Sequence, residues 1–256
     1  MDPATLIGFV VSLVALLVFM VMEGADPTSL LFLPAIVLVI VATFGAAMSG
    51  QTMSDLKKMP GWFKMALTPA KVPPPTDQIQ TLVTLAEKAR KEGLLALEAQ
   101  VKAIEDPFLK RGLQMGIDGT DPEELRAVLE GEIAAKKSED KVAAKFFTAM
   151  GGYAPTIGII GTVVGLIHVL ENLSSPESLG PLIASAFVAT LWGVLSANVF
   201  WLPMGAKVTR TSDLQAASME LLVEGIAEIQ AGTSPRAVRL KLNSLIPPGD
   251  LAKEAA

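Results

Sequence analysis

The 256 residues are 51% hydrophobic and only 18% charged, with a mean hydropathy of +0.48 and a formal net charge of −5. This composition is too apolar for an ordinary soluble domain. The absence of cysteine excludes disulfides and thiolate metal sites, and a single histidine argues against zinc or haem chemistry. We therefore predict an integral membrane protein with no cofactor, no resident metal and no nucleic-acid partner.

Four apolar segments approach the roughly 20 residues that a helix needs to cross a bilayer. They lie at about 4–22, 29–48, 152–170 and 181–204. The first has no basic n-region and no small-residue cleavage site. We therefore expect it to be a membrane span rather than a removable signal peptide.

The basic residues predict the orientation of these spans. Residues 1–48 and 146–206 contain no Lys or Arg, whereas fifteen lie within 57–145 and six within 207–253. Cytoplasmic segments are enriched in basic residues. We therefore predict a multi-pass protein of the inner membrane with both termini in the cytoplasm.

The two outward turns contain acids and no basic residue: Glu23, Asp26, Glu171 and Glu177. They are either ordinary polar turns or an acidic mouth that raises the local cation concentration. The sequence leaves both interpretations open.

The predicted fold is an all-α integral membrane protein with four transmembrane helices. Residues 1–50 hold spans one and two, which we expect to face lipid, and 151–206 hold the inner spans three and four. Residues 51–150, together with the C-terminal helices of 207–256, form a helical cytoplasmic domain.

Helical periodicity organises this cytoplasmic domain. It predicts a helix from residue 77 to about 105, which Asp106-Pro107 ends, and a second over 119–147. In the tail it predicts an amphipathic helix at 213–230 and a further one within 234–248.

Spans three and four differ from the Leu-, Val-, Ile- and Phe-rich first two because they contain small residues and hydroxyls. The small residues are Gly158, Gly161, Gly165, Ala186, Gly193 and Ala197. Such residues let helices approach closely. Thr162 and Thr190 lie among them, and two interpretations remain open. Either the segments serve helix packing alone, or the two hydroxyls line an ion path, since oxygen ligands suit hard cations.

Three other residues of these spans attract attention. His168 lies near the outer end of span three, where we expect an interfacial or hydrogen-bonded residue. Pro155 and Pro203 lie at the cytoplasmic ends of spans three and four, as simple helix ends or as hinges.

Two absences bear on function. No Asp, Glu, Lys or Arg lies in the core of any span, although an ion relay normally needs an intramembrane carboxylate. A partner helix must therefore supply one if the chain moves ions. No enzyme signature is present. The Gly-rich "GIIGTVVG" is not a nucleotide-binding loop, because it lies inside a span rather than after a strand. We predict no enzymatic activity.

Several segments resemble the A subunit of the bacterial flagellar stator, the MotA/PomA family. They are "ARKEGLLALE" (89–98), "DPFLKRGLQMGIDG" (106–119) and the stretch from "GGYAPTIG" to "FWLP" (151–203). The resemblance extends over nearly the whole chain. TolQ and ExbB, which energise outer-membrane transport, share the inner-helix pattern but usually have three spans.

The resemblance implies a mechanism. Five A subunits surround two B-subunit helices, each with an aspartate, and cation flow turns the A ring against the rotor's switch-complex protein. The small residues of spans three and four would pack against the B-subunit helix. Pro155 and Pro203 match the family's coupling prolines, and Arg90 and Glu98 match its rotor-binding charges. These two charges share a helix face if the helix continues through Gly93.

The resemblance also implies an ion. Sodium-driven members have threonine at the positions of Thr162 and Thr190, whereas proton-driven members usually have alanine at the first. We therefore predict a sodium-driven stator for motility, with sodium as cargo. The alternatives are a proton-driven stator, a TolQ/ExbB-like energiser, or a membrane scaffold that signals without conducting.

Overall fold

The computed structural model describes residues 1–249, so the last part of the predicted C-terminal segment, 250–256, lies outside the described residues. Residues 1–249 form ten α-helices: α1 (Pro3–Met22), α2 (Leu33–Ser49), α3 (Met53–Leu67), α4 (Pro75–Glu92), α5 (Glu98–Ala103), α6 (Pro107–Ile117), α7 (Pro122–Glu171), α8 (Pro176–Ser196), α9 (Leu202–Gln230) and α10 (Pro235–Asn243). Short 3₁₀ turns at Pro27–Leu30 and Leu94–Leu97 and a π-helical segment at Ala197–Trp201 connect some of them. The predicted all-α class is confirmed, since residues 1–249 contain no strand.

The chain folds into two compact units. The apolar unit consists of Met1–Pro69 and Asp140–Thr211, and the polar unit of Ala70–Glu139 and the chain from Ser212 onward. The predicted divisions at residues 50 and 151 therefore fall inside the apolar unit. The reason is an aromatic contact: the rings of Trp62 and Phe146 are 5.6 Å apart, and those of Phe63 and Phe147 are 5.0 Å apart. These contacts hold α3 and the middle of α7 against the membrane helices.

Three stretches of the described chain are long and apolar enough to span a bilayer: α1, α7 and the run from α8 through α9. Helix α2 has 17 residues, at the lower limit for a span. It begins at Leu33 rather than near 29 because Pro27–Leu30 form a 3₁₀ turn that the Asp26 side chain caps.

Neither Pro155 nor Pro203 ends a helix, which excludes the interpretation of these prolines as simple helix ends. Helix α7 is continuous through Pro155, although the missing N–H leaves the carbonyl of Gly151 without its helical donor. After α8 the Leu202 N–H donates to Ala197 O, five residues earlier, which forms the π segment. Helix α9 then includes Pro203 and continues to Gln230.

The predicted helix over 77–105 is also wrong in its middle. Helix α4 ends at Glu92, and Gly93 adopts φ 86° and ψ 162°, a conformation that glycine adopts without strain. A 3₁₀ turn and the short helix α5 follow it. Arg90 and Glu98 therefore lie on different helices, and the condition for a shared helical face is not met.

The polar unit has its own hydrophobic core, in which Leu82, Leu125, Leu129, Leu222 and Ile226 are almost fully buried. An ion cluster fastens its helices together. Arg126 of α7 contacts Glu224 of α9 at 2.8 Å, and Lys241 of α10 pairs with both Glu224 and Glu228. Burial by itself would raise the pKa of Glu224, but the hydrogen bonds from Lys241 and Arg126 outweigh it and lower that pKa.

Candidate functional site

The candidate site is the contact between α7 and α8 in the apolar unit. A Cβ placed on Gly193 would lie 2.6 Å from Ala154 O and 3.1 Å from the Cα of Gly158. A Cβ on Gly158 would lie 2.8 Å from Ala189 O. The two helices therefore touch backbone to backbone at this pair, which only glycine permits.

The close contact continues along both helices. A Cβ on Gly165 would lie 2.6 Å from the Cβ of Ala186, and one on Gly161 would lie 2.7 Å from the Cβ of Ala189. We call this row of contacts the α7–α8 seam. The small residues therefore pack against each other within one chain, with Gly158, Gly193 and Ala186 buried. Packing of these small residues against a B-subunit helix stays a prediction.

The seam brings Thr162 and Thr190 together. Their hydroxyl oxygens are 2.5 Å apart. Thr162 Oγ1 is also 3.1 Å from Ala186 O and 3.2 Å from Gly158 O, and Thr190 Oγ1 is 3.3 Å from Gly158 O. Because each hydroxyl has one proton, one donates to a carbonyl while the other donates to the first hydroxyl.

We call these four oxygen atoms the oxygen cluster. It contains two hydroxyls and two carbonyls, the neutral ligands that replace water around a hard cation. Both threonines are partly exposed. It has no negative charge of its own, and no group of three or more His, Asp or Glu side chains suited to a metal occurs within residues 1–249.

The other predicted site residues lie apart from the cluster. Pro155 is half-buried in the seam, Pro203 is exposed, and Ala197 is buried at the start of the π segment. Arg90 and Glu98 are exposed in the polar unit. Glu98 accepts a hydrogen bond from Lys102 at 2.9 Å, and this bond holds the pKa of the Glu98 carboxyl below its usual range.

His168 is exposed near the C-terminal end of α7. Its Nδ1 lies 3.5 Å from Glu171 Oε2 and 3.5 Å from Asn172 Nδ2. It also lines an apolar groove of about 610 Å³ between α2 and the seam. Hydrogen bonding at the helix end accounts for this residue.

Sequence reasoning missed the role of α2, which it treated as lipid-facing. The residues Ala35, Val39, Thr43 and Ala47, four apart, are buried in a stripe, and α2 packs against α8. Trp192 of α8 donates from Nε1 to Leu30 O at 2.8 Å and fastens the turn before α2. The small residues at intervals of four were the available signal. The Thr43 hydroxyl is buried without a hydrogen-bond partner.

The arrangement of helices and seam has close counterparts among known proteins. Residues 100–221 match the model of the MotA/TolQ/ExbB proton channel family. Motility protein A of Bacillus subtilis is 35% identical over 100% of this chain and 94% of its own length. Chemotaxis protein PomA of Vibrio alginolyticus is 31% identical over 99% of both.

Solved structures agree with these relatives. A chain of the flagellar MotAB stator complex from Bacillus subtilis superposes with a TM-score of 0.92 at 35% identity, covering 99% of this chain and 100% of that one. A chain of C. jejuni MotAB gives a TM-score of 0.93 at 28% identity, with 97% of each covered. The chain therefore belongs to the MotA/TolQ/ExbB proton channel family and is a membrane protein, not an enzyme.

Proposed function

We propose that this chain is the A subunit of an ion-driven flagellar stator in the inner membrane, with four spans and cytoplasmic termini. The observation that carries the proposal is the match, over 97% to 99% of the chain, to subunits of two MotAB structures. The full-length similarity to motility protein A agrees with it. The stator would convert ion flow into torque on the rotor.

The proposed function requires a B subunit. The span cores contain no Asp, Glu, Lys or Arg, and the oxygen cluster is neutral. A cation that leaves water needs a compensating negative charge at this depth. We infer that a B-subunit helix with an intramembrane aspartate supplies it, in an assembly of five A subunits around two B subunits.

The B-subunit contact lies on the face of α7 that the seam leaves open. Ile159, Val163 and Ile167 are each more than half exposed, whereas the glycines face α8. An apolar helix can pack on these side chains by van der Waals contact alone. Arg90 and Glu98, both exposed, are the proposed contacts to the rotor's switch-complex protein.

We further propose sodium as the transported ion. In the oxygen cluster the Thr162 hydroxyl lies within 3.2 Å of both carbonyl oxygens, and the Thr190 hydroxyl lies 2.5 Å from it and 3.3 Å from Gly158 O. Sodium must exchange part of its hydration shell for such oxygens, whereas a proton needs no cage of ligands. The Thr162–Thr190 pair would thus contribute selectivity while the B-subunit carboxylate provides the charge.

The experiment is complementation of a stator-deficient flagellated strain with this chain and a B subunit. Swimming speed is measured against external sodium at fixed pH. We expect speed to rise with sodium, and Thr162→Ala to raise the sodium concentration for half-maximal speed about tenfold, the loss of one ligand worth about 1.4 kcal/mol. Thr162→Ser keeps the oxygen and should stay near wild type.

The matched control is Thr156→Ala, because Thr156 is an exposed hydroxyl on the same helix that bonds only Tyr153 O. Speed that is independent of sodium would establish the proton-driven alternative. Failure to rotate with any flagellar B subunit, together with rescue of outer-membrane uptake, would establish the TolQ/ExbB-like alternative.

A further inference from the structure

Helix α3 is joined at both ends to the ends of membrane helices. It begins at Met53, four residues after the last residue of α2. At its other end, Leu67 O accepts a hydrogen bond of 2.8 Å from the N–H of Asp2, the residue that caps α1. A helix fixed at two such points lies along the bilayer surface rather than away from it.

The inner face of α3 packs within the apolar unit. Met59, Trp62 and Ala66 are buried, and the aromatic contacts with Phe146 and Phe147 fix the rotation of the helix about its axis. A capping box fixes its start: Thr52 Oγ1 accepts from Asp55 N–H, and the Asp55 carboxylate accepts from Thr52 N–H. The packing therefore fixes which residues of α3 face away from the apolar unit.

That outer face is basic. Lys57 and Lys64 are exposed on α3, and Lys145, which precedes Phe146 in the sequence, is exposed on α7. The acids nearby are already engaged. Asp55 belongs to the capping box, and the hydrogen bonds from Thr52 hold its pKa below the usual value. Asp2 pairs with Lys207.

The charge balance of the apolar unit points the same way. The basic side chains on the side of α3 are Lys57, Lys58, Lys64, Lys141, Lys145, Lys207 and Arg210. The acids on that side are Asp2, Asp55 and Asp140. The excess positive charge lies where the cytoplasmic leaflet presents anionic headgroups, given the topology proposed above.

We propose that α3 is an interfacial helix that binds the anionic phospholipid headgroups of the cytoplasmic leaflet through Lys57, Lys64 and Lys145. A lipid surface is the partner that fits, because the two ends of α3 lie beside the ends of the membrane helices α1 and α2. The lysine stems can therefore lie along the apolar boundary while the ammonium groups reach phosphate. Lipid binding would hold α3, and with it the start of α1 and the middle of α7, at a fixed depth.

The test is native mass spectrometry of the purified full chain in detergent with equal amounts of phosphatidylglycerol and phosphatidylcholine. Each lysine near an anionic surface is worth about a fivefold change in binding. We expect Lys57→Gln with Lys64→Gln to lower the preference for phosphatidylglycerol by about 25-fold. Replacing both lysines by arginine keeps the charge and should keep the preference.

The matched control is Lys102→Gln with Lys110→Gln, which removes the same charge from two exposed positions of the polar unit. A preference that persists in the α3 variant, or that falls equally in the control, would overturn the proposal. Competition by free glycerol phosphate at equal concentration would assign the site to a free anion instead and would also overturn it. The measurement needs no B subunit or rotor, so it can fail while the stator function stands.

Discussion

Gly193→Ala should separate α7 from α8 and weaken the oxygen cluster. The new Cβ would lie 2.6 Å from Ala154 O, where ordinary contact begins at 3.4 Å, so the helices must part by about 0.8 Å. The obstructing atoms belong to the backbone and cannot rotate away. The Thr162–Thr190 contact of 2.5 Å would lengthen to about 3.3 Å, and the 3.3 Å bond from Thr190 to Gly158 O would break.

Overpacking of this kind costs about 1–3 kcal/mol. For a chain of this size that corresponds to a fall of about 2–12 °C in the apparent melting temperature in detergent. The sodium concentration for half-maximal swimming speed should rise as well, because the cation loses a well-placed hydroxyl pair.

Gly152→Ala is the matched control for this substitution. Gly152 is exposed on the same helix, and a Cβ there has no atom within 4 Å. Alanine should leave function unchanged and stabilise the helix by about 0.5–1 kcal/mol. If Gly193→Ala melts with the wild-type protein and shows the same sodium dependence, the seam does not position the threonines and the reasoning is refuted.

Three further changes test other parts of the structure. Asp2→Asn should lower the melting temperature, since asparagine keeps the cap of α1 but leaves the shielded Lys207 unpaired, and Asp2→Asn with Lys207→Gln should recover much of the loss because no unpaired charge remains. The folded-state pKa of Glu224 is lowered, so its contribution to stability is present above the ordinary value of 4.5 and is lost as pH falls through the folded pKa. Glu224→Gln should therefore make the melting temperature fall less steeply with decreasing pH. Gly93→Ala should cost about 1–3 kcal/mol from backbone strain alone, measured as a melting shift, because φ is 86° and the site is uncrowded.

The sequence predicted the membrane helices and the polar unit because hydropathy and charge are properties of segments. It failed where one residue decides between continuing and ending a helix. Glycine and proline both disfavour helix, yet helix α4 ends just before Gly93 whereas helix α7 continues through Pro155. Gly93 is exposed and a Cβ there would have no atom within 4 Å, whereas Pro155 packs against Gly193 in the seam, where α7 stays helical.

The small residues show a second limit of sequence reasoning. A stripe of glycine and alanine predicts that some helix comes close, but it does not name that helix. Gly158, Gly165 and Gly193 contact the chain's own neighbouring helix, and the same pattern would serve a partner equally well. The pairing of Thr162 with Thr190, by contrast, follows from their places on two spans once the glycines set the register.

Pro155 and Pro203 lie at the same level on neighbouring helices. Gly151 loses its helical donor to Pro155, and a Cβ on Gly151 would lie 2.4 Å from the side chain of Leu202, which stands beside Pro203. The hydrogen-bond ladders of α7 and of the α8–α9 run are therefore weakened at the same level, the second by the π segment that ends at Trp201. Thr162 lies about two helical turns beyond Pro155 on the far side of Gly158. Bending at the proline level would thus move the far parts of both helices together and leave the oxygen cluster intact, as the hinge interpretation of the two prolines predicts.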